Sequence, residues 1–461
     1  MRYISVLTLT LFIFCSISLN AQALQRDEDR FFYGSETDED MQVIIPGKSY
    51  ATEGIQYGAI IGPVFLYENK NGENLTTAIV NTRLWAKAYL WNNSYFYGGV
   101  KDSYMNVLSK KGETYDNTET DNIIDLDQAF ISMSAMEGAI KISAGRKYYS
   151  IGTGLVLNGR GDGAELNYTT SVISVNLLSL YTGYLIKDNN PYKLTDKDYS
   201  DGAERLFSGG VLSAASGNQQ IYLFGLIQID RPKKDDPEKE KYNSQYYGAG
   251  LNGVFFKDIS YYAETVFESG ESYITRTAGN EKSKIAAYAF NSGLNYFIPV
   301  VLNPTLILQY AFGSGDSYRK DYSSGNRNEL YGANGYDKGF ISFGTFSGGY
   351  ALRPVLSNIH IIRAGVTCLP FSLYNSAYLK KMSLGAKYSY YLKDEKASSI
   401  NAGEADDYDK SFIGQGIDIS LRWQVFYDAS FYVNYGLFLP GDAYKNKDAN
   451  NFIMAGINLS I

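Results

Sequence analysis

One histidine, His360, stands in 461 residues. Ser-His-Asp catalysis would have that single base to use, and zinc centres built on two or three histidines are excluded. His360 lies in the apolar run Ile359-His360-Ile361-Ile362-Arg363, where an interfacial structural role is expected. The chain is therefore read as non-enzymatic, with a lipid-hydrolysing barrel as the enzyme alternative. Cys15 falls in a segment expected to be removed, which leaves Cys368 alone and gives no disulfide or cysteine metal cluster. The acidic run Glu404, Asp406, Asp407 and Asp409 lacks the ligand spacing of a calcium loop and reads as solvated. Arg160-Gly161-Asp162 reads as a loop tip and not as an adhesion motif. No metal and no cofactor are expected.

The informative charges sit inside alternating stretches. Arg83, Trp85, Lys87 and Tyr89 oppose Leu84, Ala86, Ala88 and Leu90. Lys141, Ser143 and Lys147 face away from Ile140, Ile142 and Ala144. Arg363 opposes Ile362, Ala364 and Val366, and Lys387 opposes Leu384, Ala386 and Tyr388. Asp418, Ser420, Arg422 and Gln424 oppose Ile417, Ile419, Leu421 and Trp423. Period-two alternation places each set on one face of a strand. A cation facing lipid at mid-depth costs ~2–4 kcal/mol, so these charges are expected to point into a water-filled interior. Arg146 falls on the apolar side by strict parity, which requires a bulge or a place near an interface. The candidate solute-binding set is Arg83, Lys87, Lys141, Arg146, Lys147, Arg363, Lys387, Asp418 and Arg422. Asp127, Glu165 and Glu264 are expected to share the same lumen.

The elements that must carry these residues are strands. Expected upward strands lie near 53–66, 94–107, 139–149, 172–186, 220–230, 259–269, 304–313, 380–393 and 428–438. Downward ones lie near 77–90, 124–136, 163–170, 205–215, 244–256, 284–297, 357–369, 413–425 and 451–461. Short connectors alternate with long polar ones at 67–76, 108–123, 150–162, 187–204, 231–243, 270–283, 314–356, 394–412 and 439–450. That sorting is expected of an all-β chain: a transmembrane antiparallel β-barrel of about 18 strands, with short periplasmic turns and long extracellular loops. If loop 314–356 folds inward, it narrows the pore. In the last strand Ile453, Ala455, Ile457, Leu459 and Ile461 alternate with small and polar residues, as a barrel-closing strand requires.

Residues 1–23 read as a secretory signal, with Arg2, an apolar Val6–Leu19 stretch and Ala21-Gln22-Ala23 as the cleavage site. Residues 24–52 read as an acidic periplasmic segment and 53–461 as the barrel. The net charge of −7 argues against nucleic acid as a partner. A mean hydropathy of −0.23 is compatible with tyrosine-rich strands that span a membrane.

Two regions resemble the alginate-export family of outer-membrane porins. One holds Asp127-Gln128-Ala129-Phe130-Ile131, Gly145-Arg146-Lys147 and Asp162-Gly163-Ala164-Glu165-Leu166. The other holds Tyr310-Ala311-Phe312-Gly313-Ser314-Gly315-Asp316-Ser317, Gly416-Ile417-Asp418-Ile419-Ser420, Tyr435-Gly436-Leu437-Phe438 and Pro440-Gly441-Asp442-Ala443. Lys147 departs from the glutamine expected there. The resemblance implies a single-chain eighteen-stranded barrel that passes an anionic polysaccharide through a lumen lined by basic residues. The expected place is the outer membrane, and the expected partners are its lipid, the barrel-assembly machinery and an anionic polysaccharide or small solute. A monomer is expected. The alternatives are a general diffusion porin without strong selectivity and a surface adhesion or binding barrel.

Overall fold

The computed structural model describes residues 54–461 except 92, 113–114, 116–117, 185–191, 195–197, 199–201, 232–240, 274–281, 319–335, 399 and 401–409. The signal and acidic segments expected at 1–52 lie outside the described residues. The strands are β1 (Ile55–Lys70), β2 (Glu73–Tyr89), β3 (Tyr95–Lys111), β4 (Asp121–Ala135), β5 (Ile140–Ile151), β6 (Leu157–Thr169) and β7 (Ile173–Tyr181). Next come β8 (Arg205–Ser216), β9 (Gln219–Asp230), β10 (Tyr242–Phe255), β11 (Ile259–Tyr273), β12 (Lys282–Phe297) and β13 (Thr305–Gly313). The chain continues through β14 (Tyr336–Asp337), β15 (Ile359–Cys368), β16 (Met382–Lys393), β17 (Phe412–Gln424), β18 (Ala429–Pro440) and β19 (Asn450–Ser460).

All nineteen belong to one sheet. The two-residue β14 runs parallel beside the top of β12. The others are antiparallel neighbours, and β1 pairs with β19, Val64 opposite Gly456 and Tyr67 opposite Ile453. The sheet thus closes as an eighteen-stranded antiparallel barrel, which removes every edge strand from the lipid.

Alternation sorts the two faces of the wall. Leu84, Val100, Ile124, Leu177, Leu212, Leu223, Leu308 and Ile362 point outward and are exposed. Their neighbours Arg83, Asp125, Leu178, Ser213, Tyr222, Ile361 and Arg363 point inward and are buried. Outward apolar side chains cost nothing in hydrocarbon, whereas a lumen accepts polar ones. At the rim of short turns Trp91, Phe256, Tyr374, Tyr378, Phe426 and Tyr427 are exposed. Amphipathic rings suit the boundary between lipid and water, as in an aromatic girdle.

Three expectations about connectors are corrected. The connector at 67–76 is not a loop: β1 and β2 stay paired to Lys70 opposite Glu73, joined by Asn71-Gly72. Both turn residues have positive φ, 55° and 83°, the geometry for which Asn-Gly is favoured because it matches strand twist. The connector at 150–162 shrinks to residues 152–156, and Arg160-Gly161-Asp162 lies within β6 instead of at a loop tip. Asn243, expected in a loop, is the second residue of β10.

The short turn at 217–218 and the long segment at 441–449 lie at opposite rims. An epitope tag inserted after Asn446 is expected to be labelled on intact cells, and one after Asn218 only after the outer membrane is breached. Labelling at Asn218 alone would invert the assignment of short turns to the periplasm.

Candidate functional site

The inward strand faces enclose a lumen, and two pieces of chain fall into it. The first is the tip of the β5–β6 hairpin. β4 and β5 pair only as far as Ala129 opposite Arg146, while β5 and β6 stay paired to Ile151 opposite Leu157. Beyond Gly145 the hairpin therefore leaves the wall. Gly145 has φ +129°, and a Cβ there would collide with the Ala129 carbonyl, so only glycine serves at this bend. Ile151, Leu155, Val156 and Leu157 at the tip are buried. Thr153 donates from its backbone N–H (2.8 Å) and hydroxyl (2.7 Å) to Glu264 on β11, several strands around the wall.

The second piece is residues 338–358, between β14 and β15. Phe340, Ile341, Phe343 and Leu356 are buried. The Phe343 N–H donates to Val156 O (2.9 Å) and Thr345 N–H to Gly154 O (3.0 Å), so the loop meets the hairpin tip. Ile341 N–H donates to Glu268 on β11 (3.0 Å), and Tyr246 on β10 reaches Ile341 O (2.8 Å). Tyr350 N–H donates to Asp418 on β17 (3.0 Å), Arg363 on β15 to Ser347 O (3.0 Å), and Tyr391 on β16 to Gly348 O (2.7 Å). Arg353 makes an ion pair with Glu68 on β1. A segment anchored from β10 round to β1 crosses the lumen. Residues 338–358 thus fold inward, the condition under which loop 314–356 would narrow the pore.

Packing around these pieces explains apolar residues on inward positions. Tyr222, Phe224 and Leu226 on β9, Ile359 and Ile361 on β15 and Phe438 on β18 join Phe340 and Phe343 in one buried cluster. Ile361 and Ile362 are both apolar because the inward loop meets one and lipid the other. Arg205 at the start of β8 is buried, paired with Asp198 (2.7 Å) and Asp230 (3.0 Å), and its guanidinium lies 5.2 Å from the Phe343 ring centre.

The nine candidate residues divide by burial. Arg83, Arg146, Arg363 and Asp418 are buried in contacts that brace wall or loop. Register between β3 and β4 shifts after Gly99, leaving Asp127 as an extra residue on β4. This bulge aims Asp127 at Arg83 (2.7 Å) and Arg160 (3.1 Å). Arg160 also meets Asp125 (3.1 Å), and Arg146 meets Asp125 (3.8 Å) and Asp162 (2.7 Å). Arg146 further donates to Leu126 O (3.4 Å), a carbonyl on the stretch of β4 that has no β5 partner. Its parity puzzle is thereby resolved: the hairpin turns inward, so a residue on its outer face meets the inner face of β4. Lys147 pairs with Glu165 at 2.5 Å. Lys87, Lys141, Lys387 and Arg422 are half-buried on the lumen side, with Lys387 directly opposite Asp418 and Arg422 opposite Tyr432.

Residue patterns alone did not single out Asp125 or Glu268, and they took Arg160 for part of a loop tip. The ladder depends on a bulge and a bend that parity counting does not include. The apolar Phe340-Ile341-Ser342-Phe343 inside a long polar connector was the readable signal of an inward loop.

Asp127→Ala is expected to destabilise the barrel by about 3–5 kcal/mol, because it leaves Arg83 and Arg160 buried without their shared carboxylate. The temperature at which the folded band converts to the unfolded one on semi-native gels measures this. An unchanged transition would mean that the ladder contributes nothing.

His360 Nδ1 lies 2.9 Å from Tyr310 Oη, and Nε2 lies 3.4 Å from Asp394. Its ring also packs against Phe312, 4.5 Å between centres. It stands on the outward parity beside Ile362.

A closed eighteen-stranded barrel with an apolar belt and a polar interior defines an outer-membrane channel of the porin type. The chain belongs to the alginate export family, whose model matches residues 172–456. Among curated proteins none matches. Among solved structures the chain is similar to Pseudomonas aeruginosa OccK11 (OpdR), with 10% identity and a TM-score of 0.54 over 90% of this chain and 100% of that one. It is also similar to P. aeruginosa OccK2 (OpdF), with 12% identity and a TM-score of 0.54 over 88% and 98%. A third is P. aeruginosa OccK1 (OpdK), with 10% identity and a TM-score of 0.55 over 88% and 98%. These likenesses concern the fold. The family and these neighbours are channels, not enzymes, and the outer membrane is where this barrel belongs.

Proposed function

We propose that the barrel conducts anionic solutes, including an extended anionic polysaccharide, along a basic track on the lumen wall. The observation that carries this reading is the division of the cations. Arg83, Arg146 and Arg363 are buried as braces, whereas Lys87, Lys141, Lys387 and Arg422 remain half-buried on the inward face. Half-buried cations beside water retain a field at the solute path, and rings of Lys and Arg select anions in pores. The net charge of −7 does not oppose this, because loop carboxylates farther than the ~8 Å screening length are shielded at physiological salt. Family membership favours a carboxylated polysaccharide. In keeping with that, OccK2 (OpdF) is known in complex with glucuronate and OpdK with vanillate, each a ring bearing a carboxylate.

Charge reversal tests the track. Lys141→Glu, Lys387→Glu and Arg422→Glu together are expected to move the reversal potential in a salt gradient towards cations, more at low salt than at high. Insertion is expected to survive, since lumen substitutions tune selectivity whereas lipid-facing charges destabilise. Unchanged selectivity with intact insertion would refute the track.

A further inference from the structure

The rim of short turns is uneven at one place. Residues 369–381, between β15 and β16, form its longest connector. They are fastened to the neighbouring turn: Leu369 N–H donates to Leu302 O (2.8 Å), and Leu302 N–H to Ser372 Oγ (3.2 Å). Trp423, on the outward parity of β17, donates from Nε1 to Tyr378 O (3.1 Å). The end of the connector, a 3₁₀ turn at Leu379–Lys381, therefore sits at the lipid side of the rim and not under the lumen.

Rings and cations meet there. Tyr378, Phe426 and Tyr427 are each more than half exposed. Tyr378 packs edge-on against Phe426, 5.8 Å between centres, and Lys381 Nζ lies 4.5 Å from the Tyr427 ring centre. Lys380 and Lys381 are exposed, and neither has a carboxylate partner among the described residues. Of the other connectors at this rim only 256–258 carries a cation, and there Asp258 follows Lys257 directly. Above the patch Leu384 on β16 and Ile419 on β17 face outward and are exposed.

We propose that this patch binds an anionic phospholipid of the periplasmic leaflet, its phosphate at Lys380 and Lys381 and its acyl chains along Leu384 and Ile419. Charge and depth both select this occupant. Ammonium groups without carboxylate partners attract a headgroup of net negative charge, with a gain of about fivefold per lysine at low salt. Exposed rings belong at headgroup depth, and lysine stems reach that level from the edge of the hydrocarbon. A soluble anion would meet the lysines but gain nothing from the outward apolar strip. A zwitterionic lipid would cover the strip but bring its own cation to the lysines. The site lies outside the lumen, so it stands whether or not the basic track does. It requires the short turns to face the periplasm, which the Asn218 and Asn446 tags test separately.

Trp423 reports on the site. The chain holds three tryptophans, so Trp85→Phe with Trp91→Phe leaves Trp423 as the sole emitter. The purified variant would be reconstituted in phosphatidylcholine vesicles holding a small fraction of phosphatidylglycerol with brominated acyl chains, which quench an adjacent indole. At low salt, quenching is expected to correspond to about tenfold or greater enrichment over brominated phosphatidylcholine at the same mole fraction. The excess is expected to shrink at high salt. Lys380→Gln with Lys381→Gln is expected to bring the two lipids level, with heat-modifiable mobility showing that the barrel is folded. Trp85→Phe with Trp423→Phe leaves Trp91, in a turn without a basic residue, where no preference is expected. Equal quenching of Trp423 by the two lipids would overturn the site and leave the patch to a periplasmic protein. An excess that survives the loss of both lysines, or that Trp91 reports equally, would overturn it as well.

Discussion

Removing residues 339–349 is expected to raise single-channel conductance several-fold while leaving the barrel assembled. The segment carries Phe340, Ile341 and Phe343, which are buried inside the lumen and not in the wall. Its backbone is held by side chains and by the hairpin tip: Glu268 takes the Ile341 N–H, Tyr391 reaches Gly348 O, and Phe343 and Thr345 pair with Val156 and Gly154. None of these contacts belongs to the ladder that closes β13 on β15, which runs from Thr305 opposite Thr367 to Gly313 opposite Ile359. The wall can therefore form without the crossing segment. The cost is exposure of Tyr222, Phe224, Ile359 and Ile361 to lumen water, about 1.5–3 kcal/mol for each large apolar side chain fully uncovered. That lowers stability without opening a sheet edge. Glu268→Ala is the milder counterpart. It removes the acceptor for the Ile341 N–H and for the Tyr242 hydroxyl, and frequent openings to a larger conductance are expected. Unchanged conductance in both variants would mean that the segment does not set the constriction.

Deleting Phe452–Ile461 is expected to abolish the barrel. β19 pairs with β18 from Ala429 opposite Leu459 to Phe438 opposite Asn450, and with β1 from Ile60 opposite Ser460 to Asn69 opposite Asn451. Ile461 takes part through its backbone, exchanging hydrogen bonds of 2.9 and 2.8 Å with Ala59. Without the strand, β1 and β18 each present an open row of N–H and C=O groups. Each such group left unpaired in hydrocarbon costs several kcal/mol, and no water is at hand to replace the partner. Degraded or periplasmic protein is expected, with no heat-modifiable band. Ile461→Phe is expected to insert normally, because the closing contact of that residue is made by its main chain. A heat-modifiable barrel after the deletion would show that closure does not require β19.

The wall was legible in the sequence because two environments impose one rule. Lipid outside and water inside force period-two alternation, so Arg83 against Leu84 or Asp418 against Ile419 already names the inner face. The eighteen strands follow from that rule together with the sorting of connectors. Asn71-Gly72 was misread as part of a loop because its flanks are polar, although an Asn-Gly pair between alternating strands is a hairpin signal. β1 and β2 stay paired past the apolar belt, where nothing forces alternation.

What could not be read depends on breaks in the rule. Asp127 faces Arg83 because a bulge inserts it, and Arg146 reaches Asp125 because the hairpin bends at Gly145. Neither event changes the residue types around it. Inward apolar residues such as Tyr222 and Ile361 look anomalous for a wet lumen until a loop distant in sequence covers them. The use of a charge is likewise set by its neighbours: Arg363 and Lys387 alternate in the same way, yet one holds the crossing loop and the other stays half-buried at the lumen.

The most direct test is the zero-current potential of the purified wild-type barrel in a planar bilayer across a potassium chloride gradient. The account predicts open channels with a potential of the sign that marks chloride as the preferred ion, growing as both salt concentrations are lowered. A potential of the opposite sign at low salt, or a closed barrel that never conducts, would contradict it.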